Sequence, residues 1–277
     1  MLVPLVALAS YFLMAVLPLA ADDDAKRQVS PELAASYRRD LGLGERWGFL
    51  RPWQKLARGE RLGTSAQGVT GEELLRKLAG SLAVGGLSLA LALTWAGLYA
   101  LALARRSGRR LASLGALVPA LAFGTPVFIP ALLLAPLVVE RGHFLPELAA
   151  AFVMSLWPGV FLGGILAEAL ELERARDYVR TARGKGAGPA RVLGLHVLPN
   201  VLPSLLDALA PVATALLAGS FVAERVFGLP YFGQLYVLAV VHKQIAVVAV
   251  ATTLFAAVLV SVTSVVELAR VAAGAAR

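Results

Sequence analysis

The sequence predicts an all-α, polytopic membrane protein with six spanning helices and a polar helical insertion after the first. Three observations lead there. Of 277 residues, 58% are hydrophobic and 16% charged, where an ordinary soluble domain carries about 25% charged residues, and the mean hydropathy is +0.73. Several uncharged apolar runs reach the length of about 20 residues that a helix needs to cross hydrocarbon. The charges gather instead in a few islands, of which Arg105–Arg110 and Arg174–Arg191 are strongly basic. The formal net charge is +8, yet no aromatic–basic interleaving points to nucleic acid. Basic loops on the inner side of a membrane account for it more simply. With no cysteine, the chain has neither a disulfide framework nor a thiolate metal site.

Residues 1–21 are apolar and uncharged and end before Asp22-Asp23-Asp24. A cleaved signal peptide is the alternative, but a basic leading region is missing and Pro18 and Leu19 suit an Ala-x-Ala cleavage site poorly. The reading is a retained first span. Residues 22–77 form the largest polar stretch, with Pro31 placed to open a helix over 31–41 and Gly42, Gly44 and Pro52 as breakers. Trp47, Phe49, Leu50 and Trp53 suit an interface. This stretch reads as an extracytoplasmic loop or cap, and residues 78–277 as the membrane core.

Leu78–Ala104 is the second span, and its early Ala79, Gly80, Ala83, Gly85 and Gly86 permit close helix approach. The loop after it, Arg105-Arg106-Ser107-Gly108-Arg109-Arg110, has four positive charges and no negative one, which places it and both termini in the cytoplasm. The third span, Leu111–Val139, carries Pro119, Pro126, Pro130 and Pro136. Proline removes a helix hydrogen bond, and such breaks survive in a membrane where a neighbour or a cavity satisfies the backbone. Thr125 and Pro126 are therefore candidates for lining a pathway, with a kinked packing helix as the alternative. Leu148–Ala167 is the fourth span, and Glu168, Glu171 and Glu173 open the loop that follows it.

That loop, residues 170–199, is too polar for hydrocarbon and lies outside it. Residues 171–183 favour a helix, Gly184, Gly186 and Gly188 break it, and Pro189 suits the first turn of a second helix that runs toward Pro199. A short helix, a turn and a second helix along the membrane surface make a shape suited to a groove on a soluble partner. Val201–Ala223 is the fifth span. Asp207 within it has a pathway or gating role, or else a solvated or paired one near an interface. Glu224–Lys243 reads as an external, re-entrant-like segment, and Ile245–Val266 as the sixth span.

Residues 176–203 resemble the cytoplasmic "EAA" loop of ABC-transporter permeases. Arg180-Thr181-Ala182 stands at its Glu-Ala-Ala position, Gly186 at its glycine, His196 at its isoleucine, and Leu198-Pro199 closes it with matching spacing. The departures at Arg180, Thr181 and His196 are similar to the dipeptide/oligopeptide/nickel branch, whose Asp-Tyr-Val-Arg-Thr-Ala-Arg run matches Asp177, Tyr178, Val179, Arg180, Thr181, Ala182 and Arg183, with Lys185, Gly186, His196 and Asn200 following. Leu62-Gly63-Thr64-Ser65 and the passage from Ala223-Glu224 to Gly233 also resemble this branch, with Tyr231 in place of a glycine. The likeness covers about residues 62–270.

The resemblance implies a type I importer permease in a bacterial inner membrane, forming half of a translocation path. It implies a second homologous permease, two ATPase subunits that carry the ATP and Mg, and an extracytoplasmic binding protein, besides the lipid bilayer. The ATPase contact would use Asp177, Tyr178, Arg180, Thr181, Ala182, Arg183, Lys185, Gly186, His196, Leu198 and Pro199, and Glu224 would be near the path; Thr125, Pro126 and Asp207 are candidates for the path on the residue reading alone. Di- or oligopeptides are the expected substrates, with nickel or another small solute as the alternative. The chain itself carries no phosphate-cradling loop, catalytic set or metal motif, so no catalytic residue, metal ligand or bound cofactor is expected in it. A membrane-embedded enzyme using Asp207, His196 and Glu267 is the remote alternative.

Overall fold

A computed structural model describes residues 50–63, 68–104, 118–122, 124–139, 144–242 and 244–275. The expected first span, the helix at 31–41, the basic loop at 105–110 and the turn at 140–143 lie outside the described residues. The described residues form helices α1 (Arg51–Ala57), α2 (Gly71–Ala104), α3 (Phe128–Val138), α4 (Phe144–Arg174), α5 (Asp177–Gly184), α6 (Pro189–Val192), a π turn (Leu193–Val197), α7 (Leu198–Phe227), α8 (Phe232–Val241) and α9 (Ile245–Ala275), in that order. Four helical stretches are long and apolar enough to cross a membrane: Gly71–Leu103, Leu145–Arg174, Pro189–Phe227 and Ile245–Ala272. They correspond to the expected second, fourth, fifth and sixth spans.

Several boundaries differ from expectation. Pro52 does not break structure; it sits in the first turn of α1, where its missing N–H costs nothing. The second span begins at Gly71, because Thr70 Oγ1 accepts from the Glu73 N–H at 3.3 Å and Glu72 and Glu73 complement the helix dipole. The third span is not one helix among the described residues. The chain leaves helix around Thr125-Pro126 before α3, which has only 11 residues. Glu168, Glu171 and Glu173 belong to α4 rather than to a loop. Glu224 likewise lies inside α7, which runs on to Phe227. It stops at Gly228, whose φ of +68° lets both its own N–H and that of Leu229 bond to the Glu224 carbonyl.

The chain divides into two compact units, residues 1–81 with 230–261, and residues 82–229 with 262–277. In the first, Leu62 and Val69 pair through two antiparallel 2.9 Å backbone bonds, and Leu62, Val69, Leu74 and Phe232 are buried. The early turns of α2 hold the segment before α8. Lys77 Nζ donates to the Pro230 carbonyl at 2.9 Å, and Ser81 Oγ accepts from the Phe232 N–H at 3.0 Å. Between them, the Tyr231 ring lies where a Cβ on Gly80 would be, 2.3 Å from its Cδ1. The tyrosine that departs from the branch pattern thus sits against a residue with no side chain.

In the second unit α4 packs most extensively against α7, and α2 and α4 cross closely. Ala92, Ala96 and Ala100 recur every four residues, so they share one face, and each is essentially fully buried. They meet Gly159 and Gly163, where an added Cβ would fall 3.1 Å from the Ala92 carbonyl oxygen and 3.0 Å from that of Ala96. Small residues on both sides let the backbones approach, and apolar contact across such an interface does the work that hydrophobic burial does in water. The rings of Trp95 and Phe152 meet edge to face at 6.0 Å.

Candidate functional site

The candidate site is the elbow between α4 and α7. The expected helix over 171–183 is interrupted at Ala175-Arg176, where Arg176 is extended (φ −67°, ψ 149°), so α5 is a separate helix of 8 residues. Asp177 in its first turn and Arg183 in its last complement its dipole. The helix is strongly two-faced. Val179 is fully buried and Ala182 half-buried, whereas Asp177, Arg180, Thr181, Arg183, Lys185 and Gly186 are exposed. Val179 joins Ala100, Leu170, Val192, Val197 and Val201 in one apolar cluster, which seats the elbow on α2, α4 and α7. The Arg180–Asp177 pair at 3.7 Å is open to water and contributes little.

The turn that follows accounts for the four-residue spacing of Ala182 and Gly186. The Gly186 N–H donates to the Arg183 carbonyl at 2.9 Å and the Ala187 N–H to the Ala182 carbonyl at 3.1 Å. This pair of bonds needs a left-handed residue at the penultimate position, and Gly186 has φ +82°. Ala182 and Ala187, the two residues joined by the longer-range bond, both pack against the apolar cluster. Of the three glycines expected to break the helix, only Gly186 needs its freedom: Gly184 is the last helical residue, and Gly188 is extended ahead of Pro189 at the start of α6.

The second arm is not a separate surface helix. From Pro189 the helix continues through the π turn into α7 as one stretch of 39 residues. At about 1.5 Å per residue this exceeds the roughly 30 Å of a hydrocarbon core, so its first turns extend beyond it. Pro199 has no N–H to return to Leu195, and the widening immediately precedes it, with the Leu198 N–H bonded to the Leu193 carbonyl. His196, Leu198 and Pro199 are exposed on this arm.

A polar chain ties the elbow to both neighbouring helices. Tyr178 Oη donates to Glu173 Oε2 on α4 at 2.5 Å and accepts from Asn200 Nδ2 on α7 at 3.1 Å. Asn200 also donates to the His196 carbonyl at 2.8 Å, and Arg176 Nε lies 3.7 Å from Glu173 Oε1. Burial first, and then the bond to Glu173, push the Tyr178 phenol above its ordinary value, so it remains a donor at neutral pH. Glu173 is missing from the sequence-derived site, and Asn200 enters it only as a motif match; each contact with Tyr178 crosses a helix break, so helical spacing does not reveal it. By contrast, Arg183, Lys185 and Arg191 make no ion pair among the described residues.

The remaining candidates lie elsewhere. Thr125 and Pro126 are exposed at the break before α3. Asp207 pairs with Arg270 of α9 at 3.0 Å, and Arg270 also holds Glu267 at 3.0 Å. Glu224, 17 residues further along α7, is wholly buried. That separation is about 26 Å along a helix, close to the roughly 30 Å of a hydrocarbon core, so the two carboxylates lie at different depths.

Residues 86–271 match the family described as the binding-protein-dependent transport system inner membrane component. The chain belongs to that family. Among relatives of this inner membrane component, the dipeptide transport system permease protein DppB of Bacillus subtilis is 31% identical over 34% of this chain. The di/tripeptide transport system permease protein DppB of Pseudomonas aeruginosa is 32% identical over 47% of it. The chain spans only 30% and 40% of those two proteins' own lengths. A probable peptide ABC transporter permease protein, y4tP, of Sinorhizobium fredii is 24% identical over 96% of this chain and 93% of its own length. A solved structure titled as an amino acid ABC transporter with histidines shares the fold of this inner membrane component, with a TM-score of 0.55, 15% identity, and coverage of 70% of this chain and 92% of its own.

Proposed function

We infer that this chain is the permease subunit of an ATP-driven importer, with the elbow at 177–199 as the contact for a separate ATPase and peptides as its cargo. The observation that carries this reading is the elbow itself. It exposes Arg183, Lys185 and Arg191, which make no ion pair among the described residues, buries Val179 in the apolar cluster, and connects two membrane-spanning helices. Arg180, Thr181, Arg183, Lys185 and Gly186 form the exposed contact face. Tyr178 and Ala182 hold that face in place, with Asp177, His196, Leu198 and Pro199 at its edges. Thr125, Pro126, Asp207 and Glu224 remain the candidates near the path.

The reading includes a second homologous permease, two ATPase subunits holding ATP and Mg, and an extracytoplasmic binding protein, with both termini in the cytoplasm. Closure of the ATPases would push the elbow, and the attached helices would rock between inward-open and outward-open states as rigid bodies. Hydrolysis belongs to the partners, and this chain is not an enzyme. Peptide cargo is supported by the printed names of the relatives over nickel or another small solute.

The test is Gly186→Asp. The position is open, with nothing within 4 Å of an added Cβ, and aspartate tolerates left-handed backbone, so the turn survives. A carboxylate then stands among the exposed cations. The expected result is normal membrane insertion with ATPase co-purification and substrate-stimulated hydrolysis both reduced, while the neutral Gly186→Asn is nearly unaffected. Undiminished substrate-stimulated hydrolysis in Gly186→Asp would count against the reading.

A further inference from the structure

We propose that Tyr178 is a positioning residue: its hydroxyl is the strut that makes α5 move as one body with the adjoining ends of α4 and α7. The inference rests on the permease reading for its purpose, though not for its geometry. Three observations carry it. One phenol uses both its capacities, donating to Glu173 on α4 and accepting from Asn200 on α7. Asn200 is itself fixed, through its bond to the His196 carbonyl across the π turn. The apolar anchor, Val179, is the next residue, about 100° round α5 from Tyr178, and resists lifting but not rotation or sliding. Apolar contact is non-directional, whereas hydrogen bonds on a second face fix orientation.

The chain contains no cysteine, so spin labels can be placed singly. Glu168 on α4, Gly184 at the end of α5 and Leu202 on α7 are all exposed. Cysteines at 168 and 184, and at 184 and 202, report α5 against each neighbour. Distances are measured by pulsed electron resonance in the complex with a cysteine-free ATPase partner, without nucleotide and after trapping with ATP and orthovanadate. With Tyr178 present, each pair gives one narrow distance, unchanged by trapping. In Tyr178→Phe the ring and Val179 stay packed and the protein folds, but the single distance is lost for at least one pair and shifts on trapping. Glu173→Gln keeps an acceptor oxygen and keeps the narrow distances.

Narrow, invariant distances in Tyr178→Phe would overturn the strut, since ring packing alone then suffices. Loss of ATPase co-purification in Tyr178→Phe alone would also overturn it, by assigning the hydroxyl to the partner contact. If the unmodified chain fails to retain an ATPase, the permease reading falls, and the nucleotide-free distances still decide the strut by themselves.

Discussion

Arg270 donates from Nη1 to Asp207 Oδ1 at 3.0 Å, joining α9 to α7 across 63 residues of sequence. The pair answers what an acid inside an apolar run is for. Asp207 is neither buried nor alone; it shares a guanidinium with Glu267. Asp207→Ala is expected to leave insertion intact and to lower the melting temperature of purified protein modestly at low salt. Because both groups are about half exposed, molar salt should shrink that difference. A salt-independent difference would mean that the aspartate acts otherwise.

The Ala182–Ala187 bond across Gly186 makes a second prediction. With φ +82° and open space around it, Gly186 is required for its backbone and not for its size. Gly186→Ala should cost about 1–2 kcal/mol of local stability, the penalty of a left-handed L-residue. Gly186→Val should cost more and Gly186→Asn less. Trypsin cleavage after the exposed Arg183 and Lys185 reads this order directly as rates of proteolysis, and equal rates for all three would contradict it.

Gly163 is required for the opposite reason. A Cβ there would meet the backbone of Ala96, with its oxygen at 3.0 Å and its Cα at 3.1 Å, which cannot swing aside. Gly163→Val should force α2 and α4 apart and cost about 1–3 kcal/mol or more. The measurement is thermal unfolding in detergent, with Gly164→Val, at a site with nothing within 4 Å, as the control.

Gly80 and Tyr231 form the fourth case. Gly80→Ala should destabilise the protein, since its methyl would overlap the Tyr231 ring at 2.3–2.8 Å. Tyr231→Gly, which restores the glycine expected from the branch, should relieve most of that loss when combined with Gly80→Ala. Additive losses in the double variant would refute the pairing.

Much of this was legible in the sequence because its signals are local. Apolar run length marked the four long helices, Pro189 marked a helix start, and the fixed spacings from Asp177 to Pro199 marked the elbow. What was misplaced was misplaced for physical reasons. Composition places a boundary where hydrophobicity ends, but hydrogen bonding lets helices run past it, so Glu168 and Glu224, expected beyond the spans, lie in α4 and α7, and Glu173, expected in the elbow helix, ends α4 instead. Three glycines looked equivalent, and only the backbone angle singles out Gly186.

By itself, then, the order of residues determined that this chain is helical and membrane-spanning, and where its basic elbow falls, because those properties follow from run length, charge and short-range spacing. Only the folded arrangement decided that Tyr178 bridges Glu173 and Asn200, that Arg270 claims Asp207, and that Gly163 and Gly80 are glycines for lack of room. Those contacts cross breaks between helices, and they exist only once separate segments have packed side by side.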